Sequence, residues 1–83
     1  MGAEAFMALT TPSRLFSRHL QLGSHSRFFN VDVEPGVGWL VYERTDDQPV
    51  RQRTYDDWHR VELAMSRFAI EASQLTREGW RDA

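Results

Sequence analysis

Apolar and polar residues alternate through the middle of the chain and then change period near residue 56. From Arg27 to Glu34 the alternation sets Phe29, Val31 and Val33 on one side and Asn30, Asp32 and Glu34 on the other. A period of two is the signature of a half-buried strand. Pro35-Gly36-Val37-Gly38 interrupts it with turn residues, and Trp39 to Arg44 follows as a second strand rich in β-formers. Asp46-Asp47-Gln48-Pro49 reads as another turn. Val50 to Tyr55 then reads as a polar edge strand, whose arginines discourage stray pairing. Upstream, Leu15 to Leu22 admits two patterns: Phe16, Leu20 and Leu22 on one strand face, or Leu15, His19 and Leu22 at helical spacing. The strand is expected, with Gly23-Ser24-His25-Ser26 as the turn after it.

Beyond Tyr55 the apolar positions step by three and four: Trp58, Val61, Met65, Phe68, Ala72 and Leu75. This stripe predicts one long amphipathic helix. Thr54 and Asp57 have capping-box spacing, and Asp56 and Asp57 lie where the positive end of the helix dipole favours carboxylates. Gly79, after Arg77, is the expected stop, and Trp80 is expected to fold back toward the sheet. Strands first and a helix last define the α+β class: an antiparallel β-meander of three to four strands packed against one C-terminal helix.

A four-residue loop over 35–38 would set Val33 opposite Leu40 and Val31 opposite Tyr42. The helix is then expected to cover Phe29, Val31, Val33, Leu40 and Tyr42. The other face would carry Phe28, Asn30, Asp32, Trp39, Val41, Glu43, Arg51, Arg53 and Tyr55. A four-strand meander followed by one helix over residues 15–80 resembles the architecture of PUR-type and Whirly-type single-stranded nucleic-acid binders. The resemblance is one of layout and brings no sequence motif with it.

The 83 residues allow one domain, expected over 14–83, with residues 1–13 as a disordered arm of small, weakly patterned residues. A domain of this size buries only about 60% of its extended-chain surface. There is no cysteine, and His19, His25 and His59 are scattered, so neither disulfide nor metal is expected to reinforce the core. A second subunit remains. Absence of cysteine fits a reducing, cytoplasmic setting. No segment approaches the roughly 20 apolar residues of a membrane span. The N-terminus, with Glu4 and no basic region, makes a poor signal peptide, and Phe6 does not fit a myristoylation motif.

Ten basic residues against 12 acidic give a net charge of −2, which disfavours nucleic-acid binding driven by overall charge. All ten are arginine. Codon bias explains that, as does a need for planar, bidentate contacts. No catalytic, metal-binding or cofactor motif is present, and the chain is not expected to be an enzyme. Asp56 and His59 are three apart and Glu62 follows, but helix capping accounts for the aspartate pair without chemistry.

Two binding surfaces remain. Leu63 and Ile70 are seven residues apart and about 200° around the helix from Val61 and Phe68. With Ser66 they form a candidate homodimer interface. The alternative is single-stranded nucleic-acid binding through Trp39, Arg51, Arg53 and Tyr55, where aromatic rings interleave with arginine; Asp32, Glu34 and Glu43 nearby weigh against it. Another protein is a further candidate partner for the aromatic face.

Overall fold

The computed structural model describes residues 14–83; the N-terminal arm lies outside the described residues. Four strands form an antiparallel meander: β1 Arg14–Leu22, β2 His25–Glu34, β3 Gly38–Thr45 and β4 Arg51–Tyr55. Helix α1, Trp58–Arg77, follows. A two-residue strand, β5 Arg81–Asp82, then returns to the outer edge of β1, giving the sheet order β4-β3-β2-β1-β5. The expected α+β meander with one helix is present, and the ambiguous 15–22 segment is a strand.

The helix begins one turn later than Thr54 would place it. Thr54 is still in β4, and Asp57 is the N-cap, its Oδ1 accepting from the His59 N–H at 3.0 Å. The C-terminal stop is as read. Gly79, at φ 104°, follows the last turn; its N–H donates to the Thr76 carbonyl and the Trp80 N–H to that of Leu75. These two bonds make a Schellman motif, satisfying carbonyls that the helix leaves orphaned. The motif also turns Trp80 back against the core and aims Arg81 and Asp82 at β1. There the Ala83 N–H donates to the His19 carbonyl, and Arg18 Nε lies 3.1 Å from an Asp82 oxygen.

The β2–β3 register differs from expectation by one residue. Glu34 pairs with Gly38, so Val33 faces Trp39 and Val31 faces Val41. The cause is the turn. Pro35 and Gly36 occupy the central positions, Gly36 has φ 79°, and the Val37 N–H donates to the Glu34 carbonyl at 3.0 Å. Proline then positive-φ glycine is the arrangement of a type II turn, and it leaves a loop of three residues rather than four. A slip of one flips every side chain of the strand. Trp39, Val41 and Glu43 therefore face the helix, while Leu40 and Tyr42 face away. Strand β4 follows, since Arg51, Arg53 and Tyr55 pair with Glu43, Val41 and Trp39. Gly38 is required at the start of β3: a Cβ there would collide with the Tyr55 carbonyl oxygen.

The core between sheet and helix comprises Leu20, Phe29, Val31 and Val41 from the strands and Val61, Ala64, Phe68, Ala72 and Leu75 from α1. Of the expected stripe, Trp58 and Met65 are not in this core: Ala64 is buried instead, and Met65 is partly buried against it. Trp58 is 43% exposed, leaning on Trp39 with ring centres 5.3 Å apart. The register makes a direct prediction. Val41→Lys, which buries an unpaired charge, should cost more than about 3 kcal/mol in urea unfolding, and Leu40→Lys less than about 1 kcal/mol. The opposite order would restore the four-residue loop.

Candidate functional site

The outer side of α1 carries a ridge that no described element covers. The buried positions of α1 define its inner face, and Leu63, Ser66, Ile70 and Ser73 lie on the opposite side. Leu63 and Ile70 are 59% and 63% exposed, the highest values among the large apolar side chains of the described residues. The three residues expected to form an interface thus share one exposed ridge. Asp56 and Asp57 stand at one end of the helix and Arg77 at the other.

The four residues of the alternative site are also brought together, but on the other face from the one expected. Trp39, Arg51, Arg53 and Tyr55 point to the helix side of the sheet, where β4 extends beyond the cover of α1. Between β4 and the helix flank runs a trough. One section, of about 610 Å³, is lined by Arg51, Arg53, Tyr55, Arg67 and Phe68, among others. A neighbouring section of about 650 Å³ shares Arg51 and Arg67 with it and adds Arg27 and Glu71. Toward the helix N-terminus the trough continues past Tyr55, Arg60 and Leu63, and Arg53, Asp56 and Asp57 line its end.

The two glutamates of the trough share one arginine. Arg27 Nη2 lies 3.8 Å from Glu43 and also donates to Glu71, with only 16% of its side chain exposed. Arg51 is the register neighbour of Glu43 across β3 and β4, but the Glu43 carboxylate contact is with Arg27. Among the described residues, Arg51, Arg53, Arg60 and Arg67 form no ion pair, and Arg67 lies over the Phe68 ring at 5.8 Å. Arg60 and Arg67 escaped the sequence reading. Their seven-residue spacing on the flank of the stripe was the available signal, but it gains meaning only once β4 is known to lie beside that flank.

The opposite sheet face carries no described helix. Phe28 stacks on His19 with ring centres 3.8 Å apart, and the Arg44 guanidinium lies 5.1 Å from the Phe28 centroid. Asn30 is buried there and donates to Ser17 Oγ at 3.4 Å. Without Trp39 and Tyr55 this face is less aromatic than expected.

Among the described residues no group of three or more His, Asp or Glu side chains is placed to hold a metal ion, and no helix is long and apolar enough to cross a membrane. His59 lines none of the grooves that Asp56 and Asp57 border. The chain matches no known family model, no curated protein and no solved structure.

The titration of Asp46, in the β3–β4 loop, is displaced. Asp46 accepts from the Ser26 N–H at 2.8 Å and lies 3.2 Å from His25 Nδ1. The Ser26 hydrogen bond, then the His25 contact, holds its carboxyl below the ordinary 3.8. A depressed folded pKa adds stability that is present above the unfolded value and is lost as pH falls through the folded one. Asp46→Ala should therefore lower the melting temperature at neutral pH, and the gap from wild type should close as pH falls below the ordinary aspartate range. A gap independent of pH would mean that the side chain acts through loop geometry alone.

Proposed function

We propose that this protein is a non-enzymatic, self-associating interaction module whose outer helix ridge pairs with the same ridge of a second copy. The exposure of Leu63 and Ile70, one heptad apart on the side of α1 opposite the core, carries this reading. An isologous pair needs a patch complementary to itself. About a two-fold axis near residues 66 and 67, with the helices antiparallel, Leu63 of each copy meets Ile70 of the other. The small Ser66 and Ser73 allow close approach along the ridge. The same arrangement sets Arg77 of one helix beside Asp56 and Asp57 of the other, and it opposes the two helix dipoles favourably.

The magnitudes favour a reversible dimer. Burying four aliphatic side chains gains about 6–12 kcal/mol gross. Association costs at least about 4 kcal/mol, which leaves at most about 8 kcal/mol, an affinity no tighter than micromolar. A domain with a core this small gains stability from such pairing.

Sedimentation equilibrium over a range of concentrations tests the proposal. The wild-type mass should rise from monomer toward dimer. Leu63→Arg with Ile70→Arg should stay monomeric at every concentration with unchanged circular dichroism, since both positions are exposed. A wild-type monomer up to about 1 mM, beyond the range expected for a functional contact, would overturn it. A double variant with wild-type association would do the same.

A further inference from the structure

We propose that the trough between β4 and α1 binds a phosphodiester strand, that is, a single-stranded nucleic acid. The inference does not rest on self-association. It starts from how unevenly charge is distributed. The whole chain carries a net charge of −2. The two main sections of the trough are lined by Arg27, Arg44, Arg51, Arg53 and Arg67 against Glu43 and Glu71, a balance of +3, and with Arg60, Asp56 and Asp57 at its end the whole trough stands at +2. Both glutamate carboxylates are turned toward Arg27. That leaves Arg51, Arg53 and Arg67 as guanidinium groups presented to solvent with no acidic neighbour among the described residues in ion-pair range.

Geometry favours an extended anion over a compact one. Arg51 and Arg53 alternate on one strand face, about 7 Å apart along β4. Arg67 stands across the trough from them on the helix flank. A strand laid along β4 would thus meet guanidinium groups from both walls, each able to hold a phosphate through paired N–H donors.

Aromatic rings distinguish this trough from a plain acidic-peptide site. Tyr55 is half-buried at the end of β4, beside its cross-strand partner Trp39, and Trp39 leans on the exposed Trp58. Ring faces adjoining a row of arginines are how single strands are held without base sequence being read: phosphates on the cations, bases stacked on the rings. A polyglutamate chain has no use for the rings. Asp56 and Asp57 close the far end of the trough, so the footprint is short, with Arg51, Arg53 and Arg67 on phosphates and Tyr55, which lines the trough, under a base.

Fluorescence anisotropy of a labelled oligothymidylate with the full chain at low salt is the test. Binding should weaken with salt at a log–log slope of about −2, as three phosphate contacts on a single strand require. Arg51→Gln with Arg53→Gln and Arg67→Gln should weaken binding about tenfold or more and flatten that slope. All three side chains are exposed, and circular dichroism would verify the fold. Tyr55→Leu, which keeps an apolar side chain against the core, should weaken binding about fivefold with the slope unchanged, as loss of one stacked base predicts. No binding at low salt would overturn the proposal, as would a triple variant that binds like wild type. So would competition by polyglutamate as effective as by the unlabelled oligonucleotide, which would identify an acidic-polypeptide site instead.

Discussion

Phe68 meets Phe29 at 5.1 Å and Phe16 at 6.1 Å between ring centres, near the middle of α1. Phe68 and Phe29 are almost wholly buried, and rings at such separations in tilted arrangements add to the gain from area alone. This contact fixes the rotation of the helix about its own axis. With Phe68 inward, Val61, Ala64, Ala72 and Leu75 must also face the sheet. Leu63 and Ile70 then have nowhere to go but outward, and Arg60, Arg67 and Glu71 must flank β4. Both candidate surfaces follow from the same constraint. A single helix covers one face of a five-stranded sheet incompletely. What it leaves open at the β4 side is the trough.

The strands, the helix and the outward ridge were legible because they depend on period alone. Alternation from Arg27 to Glu34 and the three-four step from Val61 to Leu75 each survive an error of a residue or two at their ends. The faces of β3 and β4 were not legible, because they depend on parity. One residue in the Pro35-Gly36-Val37 connection decides whether Trp39 or Leu40 looks at the helix, and both are large and apolar. The Pro-Gly pair did carry the information. Proline with a following positive-φ glycine favours a type II turn, and counting out from its hydrogen bond yields the observed register. Strand β5 was unreadable for another reason: Arg81 and Asp82 have no strand propensity to speak of, and they pair because the Schellman motif at Gly79 aims them at β1.

The misplaced faces changed the meaning of the arginines more than of the aromatics. On a flat, solvent-facing sheet Arg51 and Arg53 would be isolated charges. Opposite Arg67, with Arg27 drawing Glu43 and Glu71 together, they belong to a concave surface of net positive sign on an acidic chain. Such local reversal of sign concentrates an anion where overall charge would not. The ridge and the trough adjoin at Leu63, which borders both. Pairing of two ridges would therefore bring two troughs near one another, and a strand bound by one copy would lie close to the partner's.

Self-association through the outer ridge is the claim on which this arrangement turns, and its geometry is open to direct measurement because the native chain has no cysteine. Ser66 stands beside the inferred two-fold axis, so Ser66→Cys would place one thiol of each copy near its symmetry mate. Under mild oxidation this variant should form a disulfide-linked dimer rapidly at the protein concentrations at which the wild type associates. Adding Leu63→Arg and Ile70→Arg should abolish the rapid reaction. Cross-linking of Ser66→Cys no faster than that of the arginine-substituted control would contradict the antiparallel ridge pairing.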